Sequence, residues 1–141
     1  MARKRIFISF DYDHDKNYRY LLTALKENTS SPIDFDDTTP DEIDTNDIGR
    51  VKAVLTTKIR NSTHTLVIVG KHANAPHKDS AKIGTRNWQW WEIEQSKADR
   101  KGLIGVKIER ANDSPTPLLN AGASWAGSFN IEAILKAINE A

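Results

Sequence analysis

Leu66-Val67-Ile68-Val69-Gly70 is the stretch that decides the fold of this 141-residue chain. Its four consecutive apolar residues, three of them β-branched, leave no polar face, which is typical of a strand covered on both sides by other elements. Such strands belong to parallel sheets flanked by helices. Residues 5–10, Arg-Ile-Phe-Ile-Ser-Phe, repeat the pattern near the N-terminus. They predict a second buried strand of the same sheet.

Three other apolar runs predict further strands. Gly105, inside one of them, allows another chain segment to approach closely. The last run is predicted to be a short strand at an edge of the sheet. These runs are residues 33–35, 103–108 and 123–126.

Helical spacing fills the intervals between the predicted strands. Apolar residues recur at intervals of three and four, which predicts amphipathic helices. Asp47 or Asn46 is suited to cap the second helix, and Asn130 the last, in which Ile131 is expected to face the core with its neighbours. The acidic residues before position 15 are expected to close the first strand, and residues 28–32 to form a turn. The predicted helices are residues 15–27, 48–59 and 130–138.

Strand and helix alternate along the whole chain, so we predict a doubly wound, flavodoxin-like three-layer sandwich around a parallel sheet of about five strands. The length fits one domain, residues 1–141, with a single core. In such folds ligands bind at the carboxyl ends of the strands. That rule predicts a binding rim formed by the ends of the first three strands. The rim covers residues 10–12, 35–37 and 70–72, and the candidate binding residues are Ser9, Phe10, Asp11, Tyr12, Phe35, Gly70 and Lys71.

Composition narrows the classes of function. The chain has 20 Lys plus Arg against 19 Asp plus Glu, and its basic residues are scattered, so no nucleic-acid partner is predicted. The absence of cysteine excludes disulfides, thiolate metal sites and a cysteine nucleophile, and agrees with a reducing compartment. The apolar run behind the basic N-terminus is too short for a signal peptide or a membrane span. We therefore predict a cytoplasmic protein without a membrane partner.

Asn87-Trp88-Gln89-Trp90-Trp91-Glu92 concentrates three of the four tryptophans and one carboxylate in six residues. Asn87 is suited to cap a helix, and the residues after Glu92 are mostly helix formers until Gly102 ends the run. On that helix Trp88 and Glu92 share a face. An indole beside a carboxylate suits a site that holds a flat heterocycle and stabilises positive charge on an attached sugar. The alternative is that the indoles anchor a core or an interface and Glu92 is a solvated helix residue.

Metal and phosphate motifs are missing. Asp11, Asp13 and Asp15 begin like a calcium loop, but its sixth and twelfth positions lack the required Gly and Glu. His72 and His77, in a long loop at residues 70–86, have no cysteine partner, so no metal site is predicted. No Gly-rich phosphate loop of either common pattern occurs. A pyrophosphate would have to be held by strand-end amides and by cations such as Lys71 or Arg86.

Several stretches resemble the bacterial TIR-like domains, including the sensor subunit of Thoeris anti-phage systems. The resemblance covers nearly the whole chain, and its most specific part is the Trp-x-x-x-Glu spacing after a β3-like strand and a loop. In that family the helix glutamate is the catalytic residue of NAD⁺ cleavage, so the resemblance assigns this role to Glu92. The stretches are Ile6-Phe7-Ile8-Ser9-Phe10, the acidic loop after Phe35, Leu66-Val67-Ile68-Val69-Gly70, Asn87-Trp88-x-x-x-Glu92-Ile93, Ala123-Ser124-Trp125-Ala126 and Phe129.

The resemblance also implies what the site does. NAD⁺ is expected as a substrate, without a further cofactor, and a carboxylate near the nicotinamide ribose stabilises the oxocarbenium-like transition state. Trp88, with Phe10 or Tyr12, is expected to stack on the rings, although core packing is an equal alternative for Phe10. The expected product is a cyclic or conjugated ADP-ribose that activates a separate effector protein, and the domains are expected to self-associate. A non-catalytic adaptor and a simple NAD⁺-depleting hydrolase remain alternatives.

Overall fold

The computed structural model describes residues 4–25, 33–36, 39–43 and 45–141. Five strands form one wholly parallel sheet in the order β2-β1-β3-β4-β5. This is the flavodoxin-like strand order, so the predicted fold class and the number of strands are confirmed. The strands are β1 (Lys4–Ser9), β2 (Ile33–Asp36), β3 (His64–Val69), β4 (Gly102–Lys107) and β5 (Ser124–Ala126).

Helices lie on both faces of the sheet. Ile8 of β1 packs with Leu22 and Ile134 on one face, whereas Phe7 packs with Leu55 on the other. Neighbouring residues of one strand therefore enter different cores, which explains the continuous apolar run in the sequence. The helices are α1 (Tyr12–Thr23), α2 (Ile48–Arg60), α3 (Ser80–Ile83), α4 (Trp88–Ala98) and α5 (Ile131–Glu140), with 3₁₀ turns at Pro40–Glu42 and Thr116–Leu118.

Helix α1 begins at Tyr12, three residues before the predicted start at residue 15. Asp11 is its N-cap, with a carboxylate that accepts the N–H of Asp13 at 3.1 Å. The acidic residues after β1 therefore start the helix instead of only closing the strand, because an Asp in extended conformation satisfies the first free N–H groups. The helix ends at Thr23 with Ala24 as its C-cap, four residues before the predicted end at about residue 27. The predicted turn at residues 28–32 lies outside the described residues.

The predicted stop of the tryptophan helix at Gly102 is wrong. Helix α4 ends at Ala98, and the chain turns through Arg100, which has a φ of 55°. Gly102 is instead the first residue of β4, where a Cβ would lie 2.4 Å from the ring of His64. The glycine is needed for this close approach and not for helix termination. The long loop before α4 also differs from the prediction, because it contains the short helix α3.

The C-terminal elements largely agree with the predictions. A Cβ on Gly105 would lie 2.4 Å from the ring of Trp125, so the predicted close approach is confirmed. Strand β5 is a short edge strand, and Asn130 caps α5 by accepting the N–H of Ala133 at 2.9 Å. Ile131 was predicted to face the core but is 50% exposed, because it lies in a groove that no described element covers.

Within the described part of the chain, no helix combines the length and the apolar character needed to cross a bilayer.

Candidate functional site

A cavity of about 180 Å³ lies at the carboxyl ends of β1 and β3. The sheet order reverses between these two strands, which is where doubly wound sheets bind ligands. The walls come from the start of α1, the 3₁₀ turn after β2, the loop after β3 and the start of α4. Four of the predicted binding residues line it: Phe10, Asp11, Tyr12 and Trp88.

The other predicted binding residues lie elsewhere. Ser9 is fully buried, one residue before the cavity wall begins. Gly70 and Lys71 line a neighbouring cleft of about 270 Å³. Phe35 does not line the cavity, because β2 extends one residue beyond it and it pairs with Ile6 inside the sheet. The predicted rim is thus divided between a cavity, a cleft and the strands themselves.

Glu92 does not line the cavity either. It is only 2% exposed, and its Oε1 accepts a hydrogen bond from Ser9 Oγ at 2.7 Å. Burial raises the pKa of Glu92 to about 8, and the Ser9 hydrogen bond opposes this only in part. Near neutral pH the carboxyl is therefore mostly protonated. The alternative that Glu92 is a solvated helix residue is excluded.

Gln89 lies one helical turn before Glu92 and, unlike it, lines the cavity. Its Nε2 donates to the carbonyl oxygen of Ile68 at 3.0 Å and to that of Ser9 at 3.3 Å. The amide thus bridges the ends of β1 and β3. Because α4 starts at the rim and runs down the sheet, Gln89 stands between the cavity and Glu92.

The face of α4 that meets the sheet is largely polar. Ser96 Oγ donates to the carbonyl oxygen of Glu92 at 2.7 Å, so the hydroxyl of Thr65 is the donor of the 2.7 Å bond that joins it to Ser96. All three of these residues are buried. The helix is consequently attached to β1 and β3 by directional hydrogen bonds, with Ile93 as the buried apolar residue between them.

The three tryptophans of α4 have different environments. Trp88 and Trp91 form an edge-to-face pair with ring centroids 5.8 Å apart and pack against the core beside α2. Trp88 reaches the cavity from there, whereas Glu92 points to the sheet, so the predicted common face is not a common site. Trp90 donates its indole N–H to Asn74 at 3.0 Å. Arg86, a predicted pyrophosphate ligand, lies over the Trp90 ring at 5.4 Å.

Two histidines that the sequence left without a role form part of the cavity wall. The rings of His14 and His72 stack with centroids 3.7 Å apart. A hydrogen bond of 2.8 Å between His14 Nδ1 and Asp11 raises the pKa of His14. The rule of strand carboxyl ends reaches His72, three residues after the end of β3, and could also have found His14, which lies in the first turn of α1.

Asp15 is the second buried carboxyl of this region, at 6% exposure. Burial, with a smaller contribution from Asp11, raises its pKa to about 6. Its Oδ2 has no hydrogen-bond partner among the described residues. No group of three or more metal-ligating side chains suited to hold an ion occurs within the ranges that the structure describes.

Comparison with known proteins identifies the family. The chain matches the family described as Thoeris protein ThsB, TIR-like domain, over residues 7–113. A search of curated protein sequences finds no match. Among solved structures, a 2-desoxiribosyltransferase from Leishmania mexicana is similar at 14% identity with a TM-score of 0.58, covering 97% of both chains. A prokaryotic SEFIR domain is similar at 18% identity with a TM-score of 0.53, covering 97% of this chain and 88% of that one.

The two solved structures show the fold alone, because their identities are low. The family match is more informative, since it spans well over half of the chain and includes Ser9, the cavity wall and all of α4. It indicates a TIR-type domain of anti-phage defence. The chain belongs to the family of TIR-like domains of the Thoeris protein ThsB.

Proposed function

We propose that this domain cleaves the bond between nicotinamide and ribose in NAD⁺, with Glu92 as the catalytic residue. The observation that carries the proposal is a buried carboxyl, bonded to Ser9, just below a rim cavity with aromatic walls. A carboxyl with a strongly raised pKa costs the fold free energy, and such groups are concentrated at functional sites. The family match supports the same residue, because α4 lies inside it.

The chemistry needs a negative charge near the nicotinamide ribose. When the C1′–N bond breaks, its electron pair leaves with nicotinamide and the ribose becomes oxocarbenium-like. An ionised Glu92 would stabilise that charge more than it stabilises NAD⁺ itself, which lowers the barrier. Trp88, Phe10 and Tyr12 offer ring surfaces for the nicotinamide. A nucleophile then adds to C1′ and gives up a proton.

The proposal includes a closed resting state. Glu92 has no access to the cavity, and the Gln89 amide lies between them. Before reaction, the first turn of α4 or the Gln89 side chain must move, and Glu92 must lose its proton. A defence enzyme benefits from this arrangement, because unprovoked cleavage would consume the NAD⁺ of the cell. We therefore expect activity only after assembly or another trigger.

The size of the cavity limits what it holds. At about 180 Å³ it is smaller than the roughly 300–1,000 Å³ of pockets that enclose drug-sized ligands. It accommodates the nicotinamide end of the substrate and not the whole dinucleotide. The remainder of NAD⁺ must lie in a neighbouring cleft.

The decisive experiment measures nicotinamide release from NAD⁺ by the triggered protein. Glu92→Gln keeps the shape of the side chain but removes its charge, so release is expected to fall to background. Glu94→Gln, an exposed neighbour on the same helix, is the matched control and should keep the wild-type rate. A triggered wild type that releases no nicotinamide, or a Glu92→Gln variant at full rate, would contradict the proposal.

A non-catalytic adaptor is the second candidate. Two large apolar residues near the β5 edge favour it, because Trp125 is 41% exposed and Leu119 is 50% exposed. An adaptor of this kind would protect cells from phage with Glu92→Gln and lose protection with Trp125→Ser. If the domain acts as the proposed enzyme, Glu92→Gln abolishes protection.

A further inference from the structure

A second cleft adjoins the cavity behind the stacked rings of His14 and His72. Both histidines line both spaces, so the ring pair is the wall between them. The cleft measures about 270 Å³ and includes Asp15, Gly70 and Lys71. Because it lies beside the reversal point of the sheet, it is in a position that doubly wound folds use for ligands.

Asp15 is the unusual group of this cleft. Its side chain is more than nine-tenths buried, and Oδ2 has no hydrogen-bond partner among the described residues. A buried polar atom without a partner destabilises the fold and is rare in folded proteins. Asp15 lines the cleft, but Oδ2 itself is covered, so the carboxyl must turn toward the cleft before a ligand supplies the missing donor.

Gly70 provides the space that the carboxyl occupies. A Cβ at this position would lie 2.0 Å from Asp15 Oδ2 and 2.7 Å from its Cγ. Any side chain at residue 70 would therefore displace the carboxyl. The backbone of Gly70 does not have the positive φ that favours glycine, so space is the physical reason for the residue.

The other walls of the cleft select the class of ligand. Glu109 adds a second carboxylate, Lys71 adds one ammonium group, and Tyr18 and Ile108 add apolar surface. A site with two carboxylates favours a neutral group that donates hydrogen bonds over a free phosphate. A sugar diol has this chemistry, and acidic side chains bind ribose diols in other dinucleotide sites.

We propose that this cleft is a subsite for the adenosine half of NAD⁺, in which Asp15 accepts hydrogen bonds from the ribose hydroxyls. The inference rests on the proposed function, because it takes NAD⁺ as the substrate. The nicotinamide end then occupies the cavity, and the pyrophosphate passes the His14–His72 wall between the two spaces. His14, whose Nδ1 lies 2.8 Å from Asp11 Oδ2, stands at this passage.

The experiment is an NMR titration of ¹⁵N-labelled protein with AMP, with 2′,3′-dideoxy-AMP and with nicotinamide mononucleotide. AMP is expected to shift the amide signals of Gly70 and Lys71, and the dideoxy analogue is expected to bind at least tenfold more weakly. Asp15→Ala should weaken AMP binding at least tenfold and leave nicotinamide mononucleotide unaffected. Asp113→Ala, an exposed carboxylate in the loop after β4, is the matched control and should change neither.

Gly70→Ala is the second variant, since it displaces the Asp15 carboxyl without removing it. Weakened AMP binding in both folded variants supports the subsite. AMP binding that neither variant changes, or a wild type that does not bind AMP, overturns it even if nicotinamide is released. AMP binding that depends on Asp15 in a protein that never releases nicotinamide leaves the subsite standing and overturns the enzymatic proposal.

Discussion

Glu92 makes the stability of the fold depend on pH. Its pKa is raised from 4.5 to about 8 by burial. Because the unfolded chain ionises at the lower value, the folded state loses stability as the pH rises above 4.5, and the loss stops growing near the folded pKa. Glu92→Gln has no such penalty and should be more stable than wild type at about pH 7 by on the order of 3 kcal/mol.

Urea unfolding at about pH 4 and about pH 7 measures this difference. The gain of Glu92→Gln should be present at the higher pH and nearly absent at the lower one. Glu94→Gln, which is exposed, serves as the reference for a charge change without burial. An equal effect of Glu92→Gln at both pH values would show that Glu92 is not buried as an acid.

Residue roles could be predicted from the sequence where a local rule exists. Asn87 was identified as a helix cap because Asn has that preference in any chain, and the structure confirms it. The burial of Glu92 could not be predicted, since a glutamate among helix formers is usually solvated. The buried position of Gln89 could not be predicted either. Its amide donates to carbonyl groups of two strands that are distant in sequence.

The Asn87 side chain bonds both to helix α4 and to the loop before it. Asn87 Oδ1 accepts the N–H of Trp90, and its Nδ2 donates to the carbonyl oxygens of Ala73 and Ala75, all at 2.9 Å. Asn87→Asp keeps the cap but loses both donated bonds. We expect it to lower the free energy of unfolding by about 1–2 kcal/mol. Asn87→Ala should lose about 1 kcal/mol more, because the cap is also removed.

Hydrogen exchange separates the two functions of Asn87. In Asn87→Asp, amides at residues 71–79 should exchange faster, while the first turn of α4 stays protected. In Asn87→Ala both regions should exchange faster. If the two variants exchange alike, the side chain does not act on the loop and the helix separately.

Helices and strands could be predicted where their sequence pattern is local. The buried strand at residues 66–69 and the amphipathic spacing of α2 were both confirmed, because burial on fixed faces imposes a period on the sequence. The prediction that Gly102 ends a helix was wrong, because a glycine is required there by the ring of His64 on a neighbouring strand. No local pattern carries that information.

At the scale of the molecule, the fold class followed from the alternation of strand and helix, whereas the site did not. Parallel crossovers restrict the possible topologies, so the fold class needed little more than the element sequence. The cavity requires four separate segments to converge. The separation of the cavity from the neighbouring cleft by His14 and His72 depends on tertiary packing, which no local sequence pattern specifies.

The whole site determines the product, which we expect to be a cyclised or conjugated ADP-ribose. A cavity with aromatic walls disfavours water as the nucleophile and favours a positioned group. Mass spectrometry of the triggered reaction identifies the product, and its filtrate is then tested on a candidate effector. Linear ADP-ribose as the sole product, with an inactive filtrate, would favour the NAD⁺-depleting hydrolase.

The polar attachment of α4 determines how the domain responds to a trigger. Apolar contacts weaken gradually when a helix slides, but hydrogen bonds fail steeply with distance and angle. The bonds of Glu92 to Ser9 and of Ser96 to Thr65 therefore hold α4 in one register, and a small shift breaks them together. We expect each molecule to be fully closed or fully open. A rising trigger concentration would then increase the fraction of open molecules and leave the turnover rate of each unchanged.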